Sequence, residues 1–167
     1  CTGGGIFSDL GGYAYRYTLN GNYSFGTGGG LATQSGFGIS DSTIAGNTAR
    51  YKTGGGVFAR VFDAMIVNNS TIADNKAGTA GAGIYFIGVV GALTLQSSIV
   101  ANNTVAGAKA DIATMGAFTI IGSNNLVTAA AASVTLPGAT LQSDPRLWPL
   151  ADNGGLLIAL GRASISA

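Results

Sequence analysis

The sequence predicts an all-β chain coiled as a right-handed parallel β-helix, a solenoid of about five to six rungs with three short strands in each. Three observations predict it. A glycine-rich step into an aliphatic residue recurs at near-constant spacing, two further columns keep step with it, and each apolar segment is too short for a helix.

The step reads Thr2-Gly-Gly-Gly-Ile6, Thr27-Gly-Gly-Gly-Leu31, Thr53-Gly-Gly-Gly-Val57 and Ala80-Gly-Ala-Gly-Ile84, with a degenerate fifth copy at Ala108-Lys-Ala-Asp-Ile112. The aliphatic residues at 6, 31, 57, 84 and 112 lie 25, 26, 27 and 28 residues apart. The second column places Asn three residues after an aliphatic, at Asn22, Asn47, Asn75 and Asn102. The third is Ile39, Ile66, Leu93 and Ile120, 27 residues apart each time. Segments such as Ile66-Val-Asn-Asn-Ser-Thr-Ile72 are β-branched and punctuated by turn formers, which suits short strands meeting at corners. Stacked turns form parallel strands at roughly 4.8 Å, and the chirality of parallel crossovers favours the right-handed coil.

The Gly column then marks corners, where a residue must take positive φ or let backbones approach closely. Asn22, Asn47, Asn75 and Asn102 are expected to stack as a ladder whose amides satisfy buried corner groups. The sequons beginning at Asn22, Asn68, Asn69 and Asn102 arise from the same Asn/Ser/Thr corners and carry little weight for glycosylation. Residues 1–127 are read as rungs and 128–167 as a last rung and closing or capping segment of the same domain.

Composition removes several function classes. Of 167 residues 28 are Gly and 9% are charged, net charge is +1, and there is no His; the seven acids are all Asp. An apolar fraction of 47% with so little net charge excludes disorder. Clustered rather than every-third glycines exclude collagen. The eight Lys and Arg are scattered along the sequence and make no basic stripe, so no nucleic-acid partner is expected. The longest apolar run, Ile84 to Leu95, is broken by Gly88 and Gly91 and is too short to span a bilayer as a helix, so no transmembrane segment is expected. Cys1 has no partner for a disulfide; it is read as the place where the chain starts, in preference to a lipidated residue.

The GGG-aliphatic step paired with Thr-Ile-x-x-Asn resembles the repeats of bacterial polymorphic outer-membrane proteins and related β-helical autotransporter passengers. The stretch Ser123-Asn-Asn-Leu126, followed by Asp144-Pro-Arg-Leu147-Trp-Pro-Leu150-Ala-Asp-Asn-Gly-Gly155, resembles the closing segment of secreted bacterial choice-of-anchor Q β-helix proteins. The resemblance covers essentially the whole chain. It implies a right-handed β-helix exported to the bacterial cell surface or the medium, and no defined catalytic residues. The chain departs from that pattern at Ile158-Ala-Leu160 and Gly161-Arg-Ala-Ser-Ile165, where His-Ala-Leu and Gly-Ser-Pro-Ala-Ile-Asp are usual.

No cofactor, metal or catalytic residue is expected. A polysaccharide hydrolase or lyase would need clustered acids with supporting bases, whereas Asp41, Asp63 and Asp74 fall at unequal offsets from their columns. Tyr13, Tyr15 and Tyr17 alternate around Arg16; their alternation puts the tyrosines on one strand face, as core of the first rung or as a face for a sugar or another protein. Trp148 is expected to anchor the last segment over the solenoid's end. Cys1-Thr2 leads straight into a rung, so that end is expected either to continue into the coil of a longer parent chain or to receive another copy stacked head to tail, which makes copies of the chain the expected partners through solenoid ends. The function expected is an extracellular structural solenoid, a fibre subunit or part of an adhesin-like passenger. The alternative is a carbohydrate-binding, or degenerate carbohydrate-active, β-helix with a glycan partner.

Overall fold

The structure, a computed structural model, describes residues 2–88 and 92–148. Among these residues every regular element is a strand. The first turn runs β1 (Ile6–Ser8), β2 (Gly12–Tyr15), β3 (Thr18–Asn20) and β4 (Tyr23–Ser24). The second repeats it as β5 (Leu31–Thr33), β6 (Phe37–Ser40), β7 (Thr43–Ala45) and β8 (Thr48–Ala49). The third is β9 (Val57–Val61), β10 (Met65–Asn68), β11 (Thr71–Ala73) and β12 (Lys76–Ala77), and the fourth β13 (Ile84–Gly88), β14 (Leu93–Gln96), β15 (Ile99–Ala101) and β16 (Thr104–Val105). After them come β17 (Ala108–Lys109), β18 (Ile112–Thr114), β19 (Phe118–Thr119), β20 (Leu126–Val127) and β21 (Val134–Thr135).

Corresponding strands pair in parallel, giving walls ordered β1-β5-β9-β13-β18, β2-β6-β10-β14, β3-β7-β11-β15-β20 and β4-β8-β12-β16. The described residues therefore form a parallel β-solenoid of about four regular turns, fewer than the five to six rungs expected, because the coil is interrupted after β16 where β17 folds back antiparallel. Each turn has four strands, one more than the pattern suggests, because a corner at the Asn column splits what reads as one segment. The extra strands are two residues long; β4, β8 and β12 bury a single small side chain each, Ser24, Ala49 and Ala77, and both residues of β16 are half-buried, too little for a periodicity to register.

The first aliphatic column is found as read: Ile6, Leu31, Val57, Ile84 and Ile112 are in register along the first wall. The third is not. Ile66 lies opposite Gly38 and Thr94 and is 46% exposed, while Met65 stacks between Phe37 and Leu93, and Val67 between Ile39 and Leu95. A slip of one residue reverses every side chain on a strand, and Ile66 sits one residue from two better-placed apolar neighbours. The core is one stack of such side chains, including Phe86, Leu31, Ile39, Ile44, Met65 and Ile72. Each is completely or almost completely buried and contributes about 1.5–3 kcal/mol.

Corners are made by residues in the left-handed region, and they too form columns. Between the second and third walls stand Arg16, Asp41, Asn69, Ser97 and Asn124; between the third and fourth stand Gly21, Gly46, Asp74 and Asn102. Above the fourth turn the coil changes. Ala106 and Gly107, with φ of 48° and 83°, close a hairpin that folds β17 antiparallel onto β16, covering that wall's edge. The chain then resumes parallel stacking: Ala130 bridges to Ile112, β21 pairs with β19, and Leu141 bridges to Leu126.

Candidate functional site

The residue after each left-handed corner is the one that links turns. At the corner of the third and fourth walls, the backbone N–H and Nδ2 of Asn22 both donate to Asn47 Oδ1, at 2.9 Å each. Asn47 donates in the same way to Asn75 Oδ1, and Asn75 to Asn103 Oδ1. Each amide also reaches back to the turn below, Asn47 Nδ2 to the Leu19 carbonyl, Asn75 to Ile44 and Asn103 to Ile72.

The ladder's fourth member is thus Asn103, not Asn102. Asn102 is the left-handed corner residue, φ 59°, in the place held by Gly21, Gly46 and Asp74. The register pairs Ile99 with Thr71 and Val100 with Ile72, so the inward aliphatic of this strand is Val100. Ile99 is the more conspicuous residue in the sequence and points elsewhere.

The ladder ends on Asp111, which is buried. Its Oδ1 accepts from the N–H and Nδ2 of Asn103, and its Oδ2 from the Thr128 hydroxyl and the Ala129 N–H. Four donors converge, and a carboxylate, which accepts through both oxygens, suits that place better than another amide.

A second ladder escaped the sequence reading. Tyr17 N–H donates to Ser42 Oγ, Ser42 N–H to Ser70 Oγ, Ser70 N–H to Ser98 Oγ, and Ser98 N–H to Asn125 Oδ1, at 3.1–3.2 Å. Its signal was present: Ser42, Ser70 and Ser98 are 28 residues apart, as are Asn47, Asn75 and Asn103. Aligning on serine would have put Asn103 in the ladder.

Asp74 combines two local disadvantages. It holds a non-glycine residue at φ 56°, and burial pushes its carboxyl above the ordinary carboxylate value. Because the folded pKa is raised, the fold disfavours the charged form; the penalty is complete above the folded pKa and disappears as pH falls through it toward the unfolded value. Asp74→Asn is expected to raise stability at neutral pH by about 0.5 kcal/mol. Urea titrations at neutral and mildly acidic pH should show the gain shrinking as the medium is acidified.

The outer faces differ from one wall to the next. Tyr13, Tyr15 and Tyr17 are exposed while Ala14 fills the core, so the tyrosines are not core residues of the first rung; nor do all three share a strand face, since β2 ends at Tyr15 and Tyr17 lies beyond the left-handed corner at Arg16. The Tyr13 ring lies over Gly38, where a Cβ would collide with it, and its hydroxyl donates to Ser40 Oγ at 2.7 Å. Tyr15 stacks beside Tyr13 with ring centroids 6.4 Å apart, and the Arg16 guanidinium lies 4.9 Å from the Tyr15 ring centroid. Trp148 is 90% exposed and so does not pin the closing segment. The continuation of that segment from 149 to 167, and Cys1, lie outside the described residues.

On the fourth wall Tyr23 and Phe25 meet edge to face at 5.2 Å, Phe25 stacks with Tyr51 at 6.1 Å, and the Arg50 guanidinium lies 5.4 Å from the Tyr51 ring centroid. A hydrogen bond with Tyr51, and Tyr23 beside it, push the Arg50 pKa above its ordinary value. Among the described residues no three His, Cys, Asp or Glu side chains gather as a metal site, and no helix is long and apolar enough to cross a membrane.

No family model matches the chain, and neither a curated protein nor a solved structure matches it.

Proposed function

We propose that this chain is an extracellular structural solenoid, a rod-forming segment of a bacterial surface or secreted protein of the polymorphic outer-membrane or choice-of-anchor Q type. The observation that carries the reading is how its buried polar groups are used. Asn47, Asn75, Asn103, Ser42, Ser70 and Ser98 are all buried, and all are engaged in joining one turn to the next. Of the acids, Asp41 and Asp74 stand in left-handed corners and Asp111 closes a ladder. In this reading the chain is not an enzyme, and its lateral walls serve for display.

End-to-end association of copies belongs to the same proposal, since terminal turns of a solenoid present strand edges. Among the described residues β17 covers the C-terminal edge of the fourth wall. Analytical ultracentrifugation and electron microscopy of the full-length protein test it: filaments of one solenoid's width are expected as concentration rises. Monomers at every concentration would remove the fibre.

A second reading, glycan binding, is favoured by the exposed aromatic rings of the second and fourth walls.

A further inference from the structure

The bases that look scattered in sequence are partly gathered by the coil. Register along the fourth wall places Tyr23, Thr48, Lys76 and Thr104 in one column, and β17 sets Lys109 opposite Thr104. Lys76 and Lys109 are exposed, and Ala77, the neighbour of Lys76, is the residue turned inward. Arg50 stands at the edge of this column with its guanidinium over the Tyr51 ring. Thr48, Arg50, Tyr51, Lys76 and Thr104 line a common groove of about 510 Å³, bounded at its far end by the Ala106-Gly107 turn. The acid nearest in sequence, Asp74, stands on the preceding corner rather than in the groove.

We propose that this groove binds an acidic polysaccharide laid along the solenoid axis, with Arg50 and Lys76 pairing with sugar carboxylates and Tyr51 offering a ring to a sugar face. The chemistry matches part by part. A guanidinium fork suits a carboxylate, an ammonium adds a point charge one rung away, and the threonine hydroxyls can donate to or accept from sugar hydroxyls. Charge density favours a polyuronate over nucleic acid. Duplex DNA presents one charge per roughly 1.7 Å of axis, whereas cationic rows here can recur no more often than the rung spacing of roughly 4.8 Å. A polymer with one carboxylate per sugar is the sparser polyanion that such rows can neutralise. The inference rests on the glycan-binding reading and places the contact on the fourth wall rather than on the tyrosine face of the second.

The test is calorimetric titration of the full chain with an oligogalacturonate, the corresponding neutral oligogalactoside and a single-stranded oligonucleotide. Variants are Arg50→Ala with Lys76→Ala, and Tyr13→Ala with Tyr15→Ala, each checked for an unchanged circular dichroism spectrum. The oligogalacturonate is expected to bind, to weaken with added salt, and to lose affinity about tenfold or more in the Arg50/Lys76 variant and not in the tyrosine variant. If the neutral sugar binds as well and only the tyrosine variant loses it, the glycan reading stands and this site is wrong. If neither sugar binds, both fall; tighter binding of the oligonucleotide overturns the polysaccharide assignment.

Discussion

Asn75→Ala is expected to lower the free energy of unfolding by about 4 kcal/mol, one of the two largest effects of a single substitution in this chain. The side chain sits in the middle of the ladder, fully buried, and its removal strands groups on both sides. The N–H and Nδ2 of Asn47 lose their shared acceptor, the Ile44 carbonyl loses its donor, and Asn103 Oδ1 loses one of two. Each buried group left without a partner costs about 1–3 kcal/mol. Asp111→Asn should be milder, about 2 kcal/mol, since an amide can still accept from Asn103 but turns a donor toward the Ala129 N–H. Asn102→Gly should change stability by no more than about 0.5 kcal/mol, because glycine suits the left-handed corner that Asn102 occupies. Urea unfolding followed by circular dichroism ranks the three. A larger loss at 102 than at 75 would return Asn102 to the ladder.

Gly29→Ala is expected to be as damaging, at about 4 kcal/mol or more, and to abolish soluble expression if the chain's margin is small. In this glycine the constraint is space, since its φ is ordinary. A Cβ would fall well inside contact distance of the Gly55 carbonyl oxygen above and 2.6 Å from the Thr48 backbone beside it. Backbone on two sides cannot rotate away as a side chain can, so the turn itself must move. Gly46, with φ 64°, has only Asn20 Oδ1 at 3.0 Å within close range. Gly46→Asn should therefore be tolerated within about 1 kcal/mol. Comparing thermal midpoints of the two variants separates crowding from conformational preference; equal losses would mean that crowding at Gly29 is relieved by a shift of the corner.

Much of this architecture is legible in the sequence because a solenoid repeats its physics. The step at Leu31, Val57 and Ile84 recurs because a glycine corner and an inward aliphatic are required at the same place on each turn. Asn22, Asn47 and Asn75 are legible for the same reason. What misleads is local and apolar. Ile66 and Ile99 are strong β-formers on the wrong side of their strands, and hydrophobicity alone cannot set a register when three apolar residues stand in a row, as in Met65-Ile66-Val67. The small polar residues are the better guide, for Ser42, Ser70 and Ser98 tolerate no slip: each must receive one particular N–H. The cationic groove lies beyond the sequence because Arg50 and Lys76 come to line one groove only when successive turns are superposed.

The ladder through Asn22, Asn47, Asn75 and Asn103 has a direction. Every side-chain amide donates one N–H to the oxygen of the next member, so the oxygen-to-nitrogen sense of the row is the same at each step and part of each amide dipole adds head to tail, as peptide dipoles do along an α-helix. Such a row polarises each of its bonds and leaves a partial positive charge at the last amide. Asp111 is the anion placed there, making it a counter-charge for an aligned row of amides as well as their final acceptor. The rod is electrically polar inside its wall, and that polarity gives the stack of turns a defined end.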